Sequence, residues 1–305
     1  MPRIAIVGPG AVGASLAAWL VHTGRHEIFL CARRPLSGLT VETTAGLLIA
    51  QPTTLTDPAT APVVDWVLVT TKAYDAAGAA AWFPRLGANG APVAILQNGV
   101  EHRARFAPYL PADRIVPVIV DLPAERIGQN RIRQRGPGLM TLAADARGRE
   151  FAALFAGTEL TVTLTPDLVS AAWRKLCLNS AGVISALLLQ PAGVLRDEAL
   201  GEVARDLVRE CITVGRAEGA VLEDELVETV LRNYRDAPPD AINSLHADRL
   251  AGRPMEIDAR NGAIVRLGQK HGIPTPCNQM AVALLTALAK SEPTSGPRSS
   301  PSPSA

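Results

Sequence analysis

The chain has 305 residues, 48% of them hydrophobic, and a formal net charge of +1 from 30 basic and 29 acidic residues. A chain of this length can form two domains of ordinary size and bury a substantial core in each of them. The balanced charge excludes the excess of Lys and Arg that normally marks a nucleic-acid-binding surface, so we expect no nucleic-acid partner.

Apolar runs typical of buried strands alternate with helical patterns in the first half of the chain. Unbroken runs of Ile, Val and Leu indicate strands that are buried on both faces of a parallel sheet flanked by helices. The first helix is predicted from about residue 11 to residue 24, directly after the first strand. The predicted strands are 3–8, 26–32, 64–72, 91–99 and 114–122. Two later runs, 131–143 and 159–165, are predicted to form a hairpin or a sheet extension of the same domain.

The pattern changes near residue 167 to long helical segments separated by Gly and Pro. The predicted helices are 168–189, 197–218, 223–235, 241–251, 255–271 and 276–290. The sequence therefore predicts an α/β domain over residues 1–166, followed by an all-helical domain over residues 167–290. Ligands of open α/β sheets bind beyond the carboxyl ends of the strands, so we expect the active site in a cleft between the two domains.

The C-terminal segment, the cysteines and the apolar runs narrow the class of protein further. Residues 291–305 are rich in Ser and Pro and show no apolar period, which predicts a disordered tail. The four cysteines lack the spacing of a zinc site or a disulfide framework. No stretch reaches the roughly 18 apolar residues of a membrane span, and the N-terminal apolar run is too short for a signal peptide. We expect a cytoplasmic protein without a metal or a membrane partner.

A glycine-rich turn follows the first predicted strand and opens the first predicted helix. It consists of Gly8, Pro9, Gly10, Ala11, Val12 and Gly13. Gly8 permits the tight turn, Gly10 lets the backbone approach a pyrophosphate, and Gly13 allows close packing of helix on strand. A glycine-rich turn without function is the alternative. In this strand-turn-helix context the spacing predicts a Rossmann-type dinucleotide-binding domain.

The residues after the other strands indicate which dinucleotide binds. Arg33 and Arg34 follow the second strand, where NAD enzymes carry a carboxylate for the ribose 2′-hydroxyl. A guanidinium suits a 2′-phosphate, so we expect NADP; a solvated pair of surface arginines is the alternative. Lys72 follows a later strand as either a cofactor contact or a surface lysine. Asn98 follows the next strand and could serve the site or form a turn with Gly99.

The segment AAWRKLCLNSAG, residues 171–182, places two polar residues on one face of an otherwise apolar helix. Lys175 and Asn179 are four residues apart and therefore point the same way. An ammonium group in a core is costly unless it has a partner or reaches water. By itself the pattern favours an amphipathic helix with a solvated lysine over a catalytic site.

Five segments together resemble the ketopantoate reductase family, the NADP-dependent 2-dehydropantoate 2-reductases of the wider 6-phosphogluconate-dehydrogenase-like group. The segments are GPGAVG, TTKAY, LQNGVE, AAWRKLCLN and EIDARNGAIVRLGQKHGIPTP. They occur in the order and at the separations of that family, and the resemblance covers residues 3 to 290. The WRKLCLN and EIDARNG segments are far more specific than the glycine turn.

The resemblance implies a reaction and a role for each of five residues. Lys175 would be the general acid that protonates the carbonyl oxygen of a small 2-oxo acid as hydride arrives from NADPH. Asn179 would contact the substrate, Ser244 its carboxylate, and Asn98 both the substrate and the nicotinamide ribose. Glu256 would support Lys175; without the resemblance, an exposed carboxylate at a helix N-terminus would be the default interpretation.

Two departures from the family pattern leave the substrate open. Val183 and Ala241 stand where asparagines are expected, and losing a hydrogen bond to a substrate costs about 1–3 kcal/mol. A related 2-oxo acid or a β-hydroxyacid dehydrogenase reaction remains an alternative to ketopantoate reduction, as does a non-catalytic NADP-sensing module. The helical domain has enough apolar surface to support a homodimer but does not require one.

Overall fold

The computed structural model describes residues 1–291. Of the predicted disordered tail, residue 291 is the last residue of a helix and the rest lies outside the described residues. The chain divides into two compact units, the first comprising Met1–Ala171 and the second beginning at Ala172. The predicted domain boundary at residues 166 and 167 precedes the helix in which this division falls.

The first unit contains three sheets and five short or medium helices. Its strands are β1 (Arg3–Val7), β2 (Glu27–Cys31), β3 (Leu39–Thr43), β4 (Gly46–Ala50), β5 (Thr53–Leu55), β6 (Trp66–Val69), β7 (Val93–Ile95), β8 (Ile115–Pro117), β9 (Ile119–Asp121), β10 (Ala124–Arg126), β11 (Arg131–Gln134), β12 (Leu139–Ala143) and β13 (Thr161–Thr165). Its helices are α1 (Ala11–His22), α2 (Ala76–Ala80), α3 (Phe83–Leu86), α4 (His102–Phe106) and α5 (Ala146–Leu154). Together these elements confirm the predicted α/β class.

The main sheet is wholly parallel, in the order β5-β2-β1-β6-β7-β8. Its central strands are buried along almost their whole length, as their unbroken apolar sequence predicts. Helix α1 contacts β1 and β2 of this sheet and the strands of a second sheet, ordered β10-β11-β3-β4. Because α1 lies between two sheets, nearly every residue in its centre is buried, including Trp19, whose indole N–H donates to Gln134 Oε1 at 3.0 Å.

One prediction about the strands is wrong, and for a second only the sheet-extension alternative holds. The apolar run 114–122 is not one strand: β8 pairs with β7, whereas β9 pairs with β12 in a third sheet. Pro117 ends β8 and has no N–H to continue the ladder. The runs 131–143 and 159–165 form no hairpin, because β12 and β13 are parallel neighbours connected through α5. The sequence interpretation also lacks the strands β3, β4, β5 and β10 and the helices α2, α3, α4 and α5.

The second unit is helical, as predicted. The chain forms α6 (Leu168–Ala181), α7 (Val183–Leu188), α8 (Glu198–Ala217), α9 (Leu226–Asp236), α10 (Ser244–Leu250), α11 (Asn261–His271) and α12 (Pro276–Ser291). The long amphipathic α8 packs against α9, α11 and α12. Glu210 on α8 accepts the backbone N–H groups of Cys277 and Asn278 at 2.8 and 2.9 Å, which caps the N-terminus of α12.

Two helix boundaries differ from the prediction, and both lie near predicted site residues. The helix predicted over 168–189 is interrupted at Gly182, between α6 and α7. A Cβ atom at Gly182 would collide with Tyr234 Oη and lie 2.9 Å from Asn243 Nδ2. The helix predicted over 255–271 begins only at Asn261. Glu256 therefore lies in the segment between α10 and α11 and not at a helix N-terminus.

Candidate active site

The loops that carry the predicted cofactor residues share one edge of the main sheet. In a parallel sheet all carboxyl ends point the same way, and β2, β1, β6 and β7 are consecutive neighbours. The loop with Arg33, the glycine turn, the loop with Lys72 and the loop with Asn98 therefore follow one another along this edge. The fold brings together residues that are far apart in the sequence.

In the glycine turn, the backbone packs closely against itself and against the end of β6. Gly8 has φ +98°, a conformation that suits glycine, and Gly10 N–H donates to its carbonyl at 2.7 Å. Thr70 Oγ1, at the end of β6, donates to the same carbonyl at 2.6 Å. A Cβ atom at Gly13 would collide with Gly8 O and Thr70 Oγ1. Gly8 and Gly13 are thus required by the turn itself.

Gly10 differs from its two neighbours because its surroundings are open. It is the N-cap of α1 with φ −67°, and no side chain caps this helix end in the described chain. A Cβ atom at Gly10 would have no atom within 4 Å. The first amides of an α-helix lack partners within the helix and carry the positive end of its dipole. An uncapped end beside an open glycine fits the pyrophosphate of a dinucleotide.

One arginine contacts the glycine turn, and two more follow the neighbouring strand β2. Gly8 N–H donates to Cys31 O at 3.2 Å, which ties the glycine turn to the end of β2, and the exposed Arg33 and Arg34 come directly afterwards. Arg126, at the end of β10, donates a guanidinium hydrogen bond to Pro9 O within the turn. Sequence reasoning missed Arg126, because only the pairing of β10 with β11 and of β11 with β3 brings it here.

Gln97 connects the loops that carry Lys72 and Asn98. Its Nε2 donates to Lys72 O at 3.2 Å and to Thr71 Oγ1 at 3.0 Å. This orientation leaves the buried Gln97 Oε1 without a hydrogen-bond partner among the described residues, an arrangement common where a ligand supplies the donor. Lys72 and Asn98 are both partly buried, and Gly99 has φ +103°, so the turn predicted at Asn98 is present.

In the second unit, α6 presents Lys175 and Asn179 on a partly buried face. Trp173 and Leu176 on the same helix are only 2% and 1% exposed, whereas Lys175 and Asn179 are intermediate. The two polar residues are separated by one helical turn, so they share a face as the spacing predicts. A lysine in this position is neither fully solvated nor fully desolvated.

The C-terminal end of α6 is held by side chains from distant segments. The last four carbonyl groups of a helix have no donor within it. The bonds in this stretch run from Tyr234 Oη to Leu178 O (2.9 Å), from Arg260 Nη2 to Asn179 O (2.6 Å), from Asn261 Nδ2 to Ser180 O (3.2 Å) and from Asn243 Nδ2 to Gly182 O (2.8 Å). Burial raises the pKa of Tyr234 to about 12, so its hydroxyl remains a proton donor.

Glu256 is 6% exposed and lies in the electrostatic environment of Arg260, which is 1% exposed. Burial lowers the pKa of Arg260, and Tyr234, Glu256 and Asp248 act in the opposite direction. The exposed-carboxylate interpretation of Glu256 is therefore wrong. Asp248 is also buried and accepts from Arg253 Nε at 2.9 Å. Arg260 lies inside the helix predicted over 255–271, and nothing local indicates its buried contacts.

Ser244 is the first residue of α10 and is exposed. The preceding Asn243 caps α10 by accepting two backbone N–H groups, and its amide donates to Gly182 O. This bond places the start of α10 beside the end of α6. Of the two departures from the family pattern, Val183 is fully buried, and Ala241 is partly buried with its carbonyl accepting from Ala192 N–H at 2.8 Å.

Neither a metal site nor a membrane span is found among residues 1–291. These residues contain no group of three or more His, Cys, Asp and Glu side chains arranged to hold a metal ion. No helix in the same part of the chain is long and apolar enough to cross a membrane.

Comparison with known proteins assigns both halves of the chain. Residues 4–146 match the family model of ketopantoate reductase PanE/ApbA, and residues 167–289 match the model of its C-terminal region. A 2-dehydropantoate 2-reductase of Caulobacter vibrioides is 51% identical over 289 residues, covering 95% of this chain and all of that protein. A 2-dehydropantoate 2-reductase of Mycobacterium tuberculosis is 37% identical, covering 93% of this chain and 97% of the relative.

A solved structure shows the same fold. The crystal structure of a PanE/ApbA family ketopantoate reductase from Ralstonia eutropha superposes with a TM-score of 0.86 at 34% identity. The match covers 94% of this chain and 98% of that one. The similarity therefore includes both units and not only the dinucleotide-binding fold.

Proposed function

Because the chain belongs to the ketopantoate reductase family, we propose that it reduces 2-dehydropantoate to pantoate with NADPH and uses Lys175 as the general acid. The observation that carries this proposal is the face of α6, where Lys175 and Asn179 stand partly buried on an otherwise apolar helix. The side-chain bonds at the end of that helix support it, because a catalytic group must be held in one orientation.

The proposed chemistry needs a proton donor at the substrate carbonyl oxygen. NADPH, when bound, supplies the hydride that reduces the carbonyl carbon. Lys175 stabilises the negative charge that develops on the oxygen and then donates a proton to it, and general acids of this kind contribute about 10²- to 10⁴-fold in rate. Glu256 orients the Lys175 ammonium group, Asn179 binds the substrate, and Ser244 binds the substrate carboxylate.

We propose that the first unit binds the cofactor through backbone and charge together. The turn Gly8–Gly13 receives the pyrophosphate, since no side chain caps α1 in the described chain and the space at Gly10 is open. Arg33 binds the 2′-phosphate, which makes NADPH the preferred cofactor. Lys72 contacts the cofactor, and Asn98 contacts the nicotinamide ribose and the substrate. Arg126, beside Pro9, adds positive charge at the phosphates.

A related 2-oxo acid is the second candidate substrate, and the packing of Val183 favours it. Val183 is fully buried, so a substrate-binding asparagine at that position has no counterpart here. A site that lacks such a donor discriminates less between substrates with and without the matching hydroxyl. Each lost hydrogen bond lowers this difference in binding free energy by about 1–3 kcal/mol. The specificity is therefore expected to be broader than that of an enzyme with asparagines at both departing positions.

We also propose that the enzyme acts in the cytoplasm. All four cysteines are free, and three of them are buried. Burial raises the pKa of Cys31 to about 12, which suppresses its reactive thiolate form. Free, unreactive thiols suit a reducing compartment. Expression of a fluorescent fusion, followed by fractionation of the cells, tests this assignment.

The direct test is NADPH oxidation by the purified protein with ketopantoate and with a panel of other 2-oxo acids, with NADH in parallel. We expect turnover of ketopantoate at a kcat/KM above roughly 10⁴ M⁻¹ s⁻¹ and a clear preference for NADPH. Turnover of a different 2-oxo acid alone would retain the reaction and correct the substrate. Binding of NADPH without turnover of any panel member would contradict the proposed function and favour an NADP-sensing protein.

A further inference from the structure

Arg260 is a buried guanidinium beneath the proposed catalytic face. Its side chain is 1% exposed, and its Nε has no hydrogen-bond partner among the described residues. Most buried arginines satisfy their donors with carboxylates or carbonyls, because an uncompensated buried charge is costly. A residue that retains such a charge in a helical core needs a role that an apolar side chain could not fill.

Arg260 interacts with two proposed site residues, Asn179 and Glu256, as well as with Tyr234 and Asp248. Its Nη2 donates to Asn179 O at 2.6 Å and would lie 3.3 Å from a Cβ atom at Gly182. Glu256 and Asp248 are close enough to raise the pKa of the guanidinium, against the effect of its burial. One side chain thus contacts the backbone of a substrate-binding residue and balances the charge of the carboxylate proposed to orient Lys175.

We propose that Arg260 is a positioning residue for the proposed reductase reaction. Its hydrogen bond fixes the last turn of α6, so that Asn179 and, one turn earlier, Lys175 keep their side-chain directions. Its positive charge stabilises the buried Glu256 as a carboxylate. This inference rests on the proposed function for the roles of these three residues, but the hydrogen bond and the charge belong to the fold itself.

Substituting Arg260 by lysine or by methionine separates the effect of its hydrogen bond from the effect of its positive charge. Arg260→Lys keeps a positive charge but loses the planar fork that reaches Asn179 O, and Arg260→Met keeps approximate volume and loses both. We expect kcat to fall roughly 10-fold in Arg260→Lys and roughly 100-fold or more in Arg260→Met. The dissociation constant of NADPH, measured by fluorescence titration, should stay within about twofold, because its proposed contacts lie in the first unit.

Arg266→Met is the matched control. Arg266 lies on α11, the helix that Arg260 precedes as N-cap residue, but Arg266 is solvent-accessible and bonds to Asp258 on the surface at 2.6 Å. A surface ion pair contributes about 0–1 kcal/mol, so this variant should retain wild-type kcat within about threefold. Equal losses in Arg260→Met and Arg266→Met would indicate a general effect of removing charge from α11 and would overturn the proposal.

Hydrogen exchange of the backbone amides around Ser180 to Ile184 provides a readout that does not need turnover. If Arg260 holds this turn, exchange there should accelerate about 10-fold or more in Arg260→Met and remain unchanged near the centre of α8. If Arg260→Met does not fold, Arg260→Lys takes its place in both measurements. A folded variant that has the same kcat as wild type and unchanged hydrogen exchange would overturn the proposal.

The two proposals can fail separately. If the wild-type protein reduces no 2-oxo acid, the proposed function fails, and exchange at the end of α6 still decides whether Arg260 holds the turn. If the wild-type protein is active but Arg260→Met keeps its kcat and KM within about threefold, the reductase stands and the positioning role fails. A loss of kcat that Arg260→Lys partly restores, with NADPH binding intact, supports both.

Discussion

The N-terminus of α1 and the C-terminus of α6 are two helix ends with opposite solutions to the same problem. Each end leaves backbone groups without partners in the helix. No side chain caps α1 in the described chain, and the space around Gly10 is open. At the end of α6, by contrast, side chains donate hydrogen bonds to backbone carbonyl groups. The donors are Tyr234, Arg260, Asn261 and Asn243, and the acceptors are the carbonyls of Leu178, Asn179, Ser180 and Gly182, in that order.

The difference teaches what each end can do. An open N-terminus offers unpaired amides and a positive potential, which suits an anionic ligand. A closed C-terminus offers nothing to a ligand but fixes the direction of the side chains one turn earlier, which suits a catalytic lysine. We therefore assign binding to the end of α1 and positioning to the end of α6, and each assignment can be broken by a different substitution.

Among substitutions that test the open end of α1, the largest expected effect comes from adding a methyl group at Gly13. Gly13→Ala would push Cβ into Gly8 O and Thr70 Oγ1, neither of which can move without opening the turn. Overpacking of this kind costs about 1–3 kcal/mol, so we expect lower stability and a dissociation constant for NADPH raised roughly 10- to 100-fold. Urea denaturation and fluorescence titration measure the two effects.

Gly10→Ala is the control that separates fold from ligand. The new methyl group meets no atom of the chain, and φ −67° suits alanine, so the free energy of unfolding should not change. NADPH binding should still weaken, because the methyl group occupies the space where the pyrophosphate is proposed to approach. Unchanged binding in Gly10→Ala would mean that no phosphate lies at this helix end.

At the closed end, Asn261→Ala should reduce stability and leave cofactor binding intact. Asn261 is 1% exposed, and its amide donates to Ser180 O and to Asn278 Oδ1. Leaving buried acceptors without a donor costs about 1–3 kcal/mol. Urea denaturation should show this loss, whereas the exposed Asn233→Ala on α9 should match wild type. A weaker affinity for NADPH in Asn261→Ala would contradict the division between the two helix ends.

The smallest effect concerns His246, on α10 near the closed end. It is 2% exposed, its Nδ1 lies 2.8 Å from Ser185 Oγ, and burial lowers its pKa. Because the folded-state pKa lies below the unfolded value of 6.5, the contribution of His246 to stability is complete above that pH and is lost as pH falls below it. Buried His26, whose pKa is also lowered, contributes in the same direction.

Unfolding free energies of wild type and His246→Gln, measured from neutral pH downward, test this contribution. The variant should be less sensitive to acid than wild type, and exposed His22→Gln should behave like wild type. Identical pH dependence in His246→Gln and wild type would contradict this contribution, because His246 would then titrate alike in the folded and unfolded states.

The two helix ends also differ in how far the sequence predicts them. The glycine turn was predicted because its requirements lie within Gly8–Gly13, and the face of Lys175 and Asn179 because helical spacing fixes it. Arg126 and Arg260 were not predicted, since Arg126 reaches Pro9 across 117 residues and Arg260 reaches Asn179 across 81. Contacts over such separations depend on tertiary pairing, which no local pattern encodes.

The same limit explains the missed strands. Strand β4 has the apolar sequence GLLIA but exposes Leu47 and Ile49 at 57% and 68%, so it is not buried on both faces as β1 and β6 are. The run 114–122 looked like one strand because it is apolar throughout, although its two parts belong to different sheets. Apolar continuity indicates burial, but it does not indicate which sheet a residue joins.

The central claim is that Lys175 is the general acid, and Lys175→Met tests it most directly. Methionine keeps the unbranched apolar character and most of the length of the side chain and removes the transferable proton. We predict that kcat for ketopantoate falls roughly 10²- to 10⁴-fold while the dissociation constant of NADPH stays within about twofold of wild type. A variant that keeps kcat within about threefold of wild type would contradict the account, because the proton would then come from another group.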